Sequence, residues 1–361
     1  MNSPKDTLPQ LGTTGLGCHP LGFGCYRVVY GNDVHEEALR QYLASGGNII
    51  DTSANYGDGY AEVLVGKVLA DTPRDQVVVV TKGGYIQGRN MDLALQTDFP
   101  EVVRYGDGLW HCIHPEFLKA QIDLSRKRLQ LDRIDVYLLH NPEYFLNERA
   151  HHGEIKEDDR IEFYRRVREA FRFLEDQVQV GTIRWYGISS NSFPLSQTDT
   201  AHTSVARCLA EAEALDPNHS FRVVQLPLNL FESGAALEPN NDGKTALEFC
   251  REQGIGVLVN RPLNAFSSNR IVRLADFPKA DALPGQQQVS DRVRQRLERS
   301  GYTAPGRTLS QMALHVVTSL PGVSSVLCGM RRPEYVRDAM TVASFAPVDG
   351  VEILKQFALP Q

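Results

Sequence analysis

Short β-branched runs alternate with amphipathic helical stretches almost from end to end of the chain. The runs Asn48–Asp51, Val77–Thr81, Asp135–Leu139, Thr182–Ile188, Val223–Leu226, Gly256–Val259 and Ser324–Leu327 are apolar at successive positions. That pattern predicts strands covered on both faces, as in a parallel sheet under helices. Leu21–Cys25 precedes them as an eighth candidate. Helical spacing of apolar residues marks His35–Ala44, Ala61–Leu69, Pro115–Leu129, Arg160–Val180, Ser204–Leu215, Lys244–Gln253, Leu309–Ser319 and Pro333–Val342. The first of these stops at Gly46-Gly47, and Pro115 suits a first helical turn.

Eight strands alternating with eight helices predict an α/β chain folded as a closed (β/α)8 TIM barrel. No linker divides it, so residues 1–361 are read as one domain. The segment Leu8–His19 carries Gly12, Gly15 and Gly17 and is expected to form a short N-terminal hairpin closing the barrel floor. Three connections are long: Gly83–His114, Asn141–Asp159 and Asn264–Arg307, the last with a charged helical stretch at Ser290–Arg299. All three are expected to rise from the C-terminal face, where barrel proteins build their sites.

Composition narrows the class of partner. The chain has 42% hydrophobic residues, 23% charged residues and a net charge of −6. Nothing resembles the basic stripe that neutralises a phosphate backbone, so nucleic acid is not expected. No apolar stretch approaches the length of a membrane span, and Met1–Leu8 has no apolar signal core. The six cysteines form no CxxC pair, and His111-Cys112-Ile113-His114 has no second cluster to complete a zinc site. They read as reduced thiols packed like small apolar residues in a cytoplasmic protein, with no metal expected. The mixed-sign surface is compatible with monomer and oligomer alike.

Three predicted strand ends carry polar residues where a buried run should simply stop. Asp51 is followed by Thr52-Ser53-Ala54-Asn55-Tyr56-Gly57, the third strand ends in Thr81-Lys82-Gly83, and the fourth in Leu138-Leu139-His140-Asn141-Pro142. Adjacent barrel strands would bring Asp51, Tyr56, Lys82 and His140 to one rim. Such a group suits carbonyl reduction. An oxygen that receives a hydride's electrons needs a proton. A Lys ammonium near a Tyr lowers the phenol pKa from about 10. A carboxylate keeps the Lys charged, and a His can hydrogen-bond the carbonyl oxygen. Each residue alone has a plain structural explanation, as a cap, a solvated rim charge or a satisfied histidine. Their order on consecutive strands is what favours chemistry.

These segments resemble the aldo-keto reductase superfamily over nearly the whole chain. The resemblance rests on Leu21-Gly22-Phe23-Gly24, Asp51 to Gly57, Thr81-Lys82, Leu138 to Pro142, Ile183 to Ser189 and Cys328 to Glu334. It implies that Asp51, Tyr56, Lys82 and His140 form the catalytic tetrad, with Tyr56 as general acid and a nicotinamide as hydride source. It also implies cofactor contacts at Gly24, Tyr26, Ser189, Asn191, Gln225, Asn260, Arg261, Pro262, Leu263, Gly329, Met330, Arg331 and Arg332. The match is imperfect. An extra Ser190 sets Asn191 one position late, and Asn260-Arg261 replaces the family's aromatic and small polar pair, leaving Arg261 to face a pyrophosphate. Arg331 and Arg332 favour the 2′-phosphate of NADP(H) over NAD(H). No GxGxxG fingerprint, P-loop or GxSxG elbow competes with this reading.

Aromatic and basic residues in the long connections suit a sugar or a polar carbonyl compound: Tyr85, Phe99, Tyr105, Trp110, Tyr144, Phe145, His151, His152, Phe266 and Arg270. The leading expectation is a reductase of an aldehyde, ketone or sugar. The alternatives are an NAD-dependent sugar or polyol dehydrogenase and, from another class, an NADP-binding partner protein resembling channel β subunits.

Overall fold

The computed structural model describes residues 8–267, 270–276, 286–303 and 306–359. Eight parallel strands close into a barrel: β1 (Leu21–Gly24), β2 (Ile49–Asp51), β3 (Val78–Gly83), β4 (Ile134–His140), β5 (Ile183–Ser189), β6 (Phe221–Pro227), β7 (Gly256–Asn260) and β8 (Ser325–Cys328). Each strand pairs with its neighbours in the chain, and β8 returns to β1 with Leu21 opposite Val326. The expected strands are all present. Several run one or two residues further, because a backbone ladder continues past the last apolar side chain. The register aligns the polar ends: Gly24 lies opposite Asp51, Lys82 opposite Leu138, His140 opposite Ser189, and Ser189 opposite Gln225. Between β5 and β6 the pairing shifts at Tyr186/Gly187. A Cβ on Gly187 would stand 1.6 Å from the Val223 carbonyl oxygen, so only glycine allows that approach.

The helices between the strands are α1 (Asp33–Ala44), α2 (Tyr60–Leu69), α3 (Pro115–Leu129), α4 (Glu157–Gln179), α5 (Val205–Glu213), α6 (Ala246–Glu252), α7 (Leu309–Thr318) and α8 (Pro333–Met340). Local chemistry sets their starts. Asn32 caps α1, Ser204 caps α5, and Thr245 and Thr308 open α6 and α7 as capping boxes with Glu248 and Gln311. The α4 helix begins before the expected Arg160, because Asp159 turns back to accept the Lys156 backbone N–H at 3.0 Å.

The larger core lies between barrel and helices. A second cluster fills the barrel, where Leu11, Leu16 and Cys18 pack on Ile49, Val78, Val80, Val136, Leu138, Val223, Leu258 and Leu327. Leu11 and Leu16 are brought in by the expected floor hairpin, closed by Leu11 N–H to Leu16 C=O and Cys18 N–H to Pro9 C=O, each 2.8 Å.

The long connections carry the expected charged helix near Ser290–Arg299 and further structure that no periodicity announced. Residues 84–114 form a three-stranded antiparallel sheet (Tyr85–Ile86, Val103–Gly106, Leu109–His111) with a helix at Arg89–Gln96. A helix, Tyr144–His152, follows β4; a hairpin (Asn264–Ser267 with Arg270–Arg273) and a helix (Gln286–Arg299) follow β7; and a last helix spans Gly350–Ala358. The side chains of Phe266 and Arg270 lie outside the described residues.

Candidate active site

Six polar side chains meet at the C-terminal ends of β2 to β7: Asp51, Lys82, His140, Ser189, Gln225 and Asn260. Lys82 is fully buried. Its Nζ lies 2.7 and 2.9 Å from the two Asp51 carboxylate oxygens, 2.9 Å from the Thr52 carbonyl and 3.4 Å from the Tyr56 hydroxyl. Burial alone would lower the pKa of this amine, but Asp51 and Tyr56 outweigh it and hold the ammonium above the usual lysine range. Asp51 takes a further hydrogen bond from Gln225 Nε2 at 2.7 Å.

Tyr56 reaches this group from the loop after β2. Its Tyr56–Gly59 turn requires left-handed backbone at Gly57, with φ 54°. Lys82 does pull the Tyr56 pKa down, as the sequence suggests. Burial is the larger effect, however, and the phenol is pushed up to about 12, so the expected net lowering is overturned. The hydroxyl is therefore protonated at neutral pH, which is the form a proton donor needs.

His140 is buried, and burial first, then Lys82 and His111, push its pKa well down, so the ring is neutral. Its Nδ1 lies 3.0 Å from Ser53 Oγ. Tyr85 stands edge-on at 4.6 Å between ring centroids, and Tyr56 at 5.9 Å. Tyr85 is fixed by a 2.7 Å hydrogen bond from Asn141 Nδ2 to its hydroxyl. Asn141 sits at φ 54°, a left-handed conformation that asparagine tolerates well. Tyr144 and Tyr105 continue the aromatic wall outward, each meeting its neighbour edge-on.

The residues assigned to cofactor by resemblance divide into two groups. Ser189 Oγ and Asn260 Nδ2 both donate to Gln225 Oε1, at 3.1 and 3.3 Å, beside the tetrad. Asn260 Oδ1 is buried with no hydrogen-bond partner among the described residues, and such an acceptor would suit an amide donor such as a nicotinamide carboxamide. Gly24 sits at the end of β1 against the Cys328 carbonyl, and Tyr26 is 68% exposed with its ring edge-on to Tyr56 at 5.3 Å. Arg331 and Arg332 are exposed beside Gly329 in the turn after β8, Arg332 lying 3.6 Å from Glu334.

The other residues stand differently. Asn191 is exposed and joins the site through its backbone N–H, held at 2.8 Å by Glu143 Oε1. Arg261 forms a 2.9 Å ion pair with Glu232 instead of standing open to a pyrophosphate. Pro262 is buried, Leu263 is half-buried against the main core, and Met330 is fully buried in it, which leaves the Met330 backbone as its route to a ligand.

Three residues escaped the sequence reading. Ser53 and Asn55 lay within the quoted strand-two motif but were given no role. Glu143, directly after Pro142, is 3% exposed, and burial lifts its carboxyl to about 7. Their signal was weak, since small polar residues after a strand are ordinary turn formers.

A closed barrel with these groups at its C-terminal rim defines an oxidoreductase site of the barrel type. A sequence model described as the aldo/keto reductase family matches residues 20–353, and the chain belongs to that family. It is 34% identical over 139 residues to the NADH-specific methylglyoxal reductase of Escherichia coli (strain K12), covering 36% of this chain and 40% of that protein. It is 26% identical over 343 residues to the D-threo-aldose 1-dehydrogenase of a Pseudomonas species, covering 91% of this chain and 90% of that one. The chain thus spans well under two thirds of the first relative and nearly all of the second. Among solved structures, the aldo/keto reductase from Klebsiella pneumoniae in complex with NADP and acetate superposes with a TM-score of 0.60 at 20% identity, covering 96% of this chain and 93% of that one. That likeness establishes the shared fold.

Proposed function

We propose that this protein reduces a small aldehyde, ketone or sugar carbonyl with NADPH in the cytoplasm, and that Tyr56 supplies the proton. The observation that carries the reading is the chain from buried Asp51 through buried Lys82 Nζ to the hydroxyl of half-buried Tyr56, 2.7 and 3.4 Å long in its two links. A bound nicotinamide supplies the hydride. Tyr56 gives its proton to the oxygen that becomes negative, and the Lys82 ammonium stabilises the phenolate left behind. Asp51 holds that ammonium charged and in place. His140 and the Tyr85 wall orient the carbonyl. Ser189, Gln225 and Asn260 form the polar patch that would hold the carboxamide, and Arg331 and Arg332 would meet a 2′-phosphate. Six buried, unpaired cysteines support a reducing compartment.

The same residues run backwards would oxidise a sugar or alcohol. The near full-length similarity to a D-threo-aldose 1-dehydrogenase favours keeping that second reading. Turnover should be followed by nicotinamide absorbance in both directions, on a panel of aldehydes, ketones and sugars. On the best substrate, Tyr56→Phe should lower kcat by about 100-fold or more while cofactor binding survives. Full activity in that variant would remove Tyr56 from the chemistry.

A further inference from the structure

His140 can serve a carbonyl in only one of its two neutral forms. A carbonyl oxygen accepts hydrogen bonds and donates none, so the ring nitrogen that faces it must carry the hydrogen. Nδ1 is already spoken for: it lies 3.0 Å from Ser53 Oγ. Nε2 is therefore the nitrogen left for the substrate, and what Ser53 does decides whether Nε2 is a donor.

Ser53 is 1% exposed and has a single hydroxyl hydrogen. Besides His140 Nδ1, its Oγ faces two acceptors, Asn55 Oδ1 at 2.8 Å and the Lys82 carbonyl at 3.4 Å. Asn55 Nδ2 in turn donates to Gln87 Oε1 at 3.1 Å. With the Ser53 hydrogen kept within it, the chain Gln87–Asn55–Ser53–His140 has two self-consistent settings; giving that hydrogen to the Lys82 carbonyl leaves Nε2 bare, as the first of them does. In one, which has these amide orientations, Ser53 donates to Asn55 Oδ1 and accepts from His140 Nδ1–H, and Nε2 is bare. In the other, both amides are turned end for end. Asn55 then donates to Ser53, Ser53 donates to His140 Nδ1, and Nε2 carries the hydrogen. The two ends of an amide have nearly the same shape, so both settings keep the same contacts.

We propose that Ser53 and Asn55 are positioning residues that set the tautomer of His140, and that the enzyme reduces its substrate from the setting in which Ser53 donates to Nδ1. This rests on the carbonyl-reduction reading above. The remaining neighbours of the ring agree with a neutral imidazole whose tautomer is chosen by hydrogen bonding. Lys82 and His111 oppose a second proton, and Tyr85 and Tyr56 face it edge-on without carrying charge.

The test is long-range 1H–15N NMR on the full chain labelled at histidine nitrogens and bound to NADP+, with the His140 signals assigned by their loss in His140→Asn. The expected result is an Nε2–H tautomer in the wild type. Asn55→Asp should switch it, because a carboxylate only accepts and takes the Ser53 hydrogen away from Nδ1. Ser53→Ala should lower kcat roughly 10-fold or more with KM little changed. Ser53→Thr, which keeps the hydroxyl, should restore most of the loss. An Nδ1–H tautomer in the wild type, or one unmoved by Asn55→Asp, overturns the proposal. That failure is separate from a failure of the parent reading, which would appear as an active Tyr56→Phe enzyme whatever the histidine spectrum shows.

Discussion

Glu143 shows how a single residue can trade stability for a fixed backbone. Its Oε1 holds the Asn191 N–H at 2.8 Å and so pins the loop after β5, while its Oε2 is buried without a hydrogen-bond partner among the described residues. Burial raises the carboxyl from 4.5 to about 7, against the lowering pull of its hydrogen bonds and of Arg261. The sign follows from linkage. A group whose folded pKa lies above its unfolded value contributes stability below the unfolded pKa and loses it as pH rises through the folded one. Between about pH 5 and about pH 8 the wild type should therefore lose on the order of 3 kcal/mol relative to Glu143→Gln, which cannot ionise. Urea denaturation of both proteins across that range measures it. Parallel pH profiles would show that the carboxyl carries no such cost. Of this residue scale, the meeting of Asp51, Tyr56, Lys82 and His140 was legible in the sequence, because Asp51, Lys82 and His140 break apolar strands at their ends. Glu143 and Ser53 were not, because their roles depend on burial and on partners 48 and 87 positions away.

At the scale of elements, β3, α2 and α3 are joined by one enclosed charge. Glu62 on α2 is fully buried, and accepts from Thr81 Oγ1 and from Arg128 Nε, each at 2.6 Å. The helices meet closely there: a Cβ on Gly66 would stand 2.5 Å from the Arg128 carbonyl oxygen. Arg128→Met should cost about 3–5 kcal/mol, because it strands a buried carboxylate, and adding Glu62→Gln should return a large part of it. Chemical denaturation of the single and double variants tests this, and additive losses would contradict it. The barrel's own strands and helices were readable from hydrophobic period. The excursion after β3 was not, since strands of two to four residues are too short to show a period. Its place is fixed instead by tertiary contact, such as the 2.7 Å bond between His111 Nε2 and the His140 carbonyl.

For the whole molecule, the one-domain reading and the cofactor reading meet in a single measurement. If residues of all eight strands form one cooperative unit, heating should give one transition, and a ligand at their common rim should move all of it. NADPH at about 100 times its Kd should add about 2.7 kcal/mol, with a smaller gain from NADH at the same concentration. A larger shift with NADH would refute the part given to Arg331 and Arg332. Two separate transitions would refute the single unit.

The seam between β1 and β8 also has a bearing on how the chain is made. Leu21 must find Val326 before the cylinder is complete, so some 300 residues separate the first partner from the last. At about 5–20 residues per second, a ribosome takes on the order of tens of seconds to deliver β8 after β1. Throughout that interval the nascent chain carries an unsatisfied strand edge, open to pairing with a stranger. Tyr42 of α1, whose hydroxyl donates to the Leu21 carbonyl at 2.9 Å, is delivered long before Val326 and becomes, in that light, an early clamp on a newborn strand as well as a part of the finished barrel.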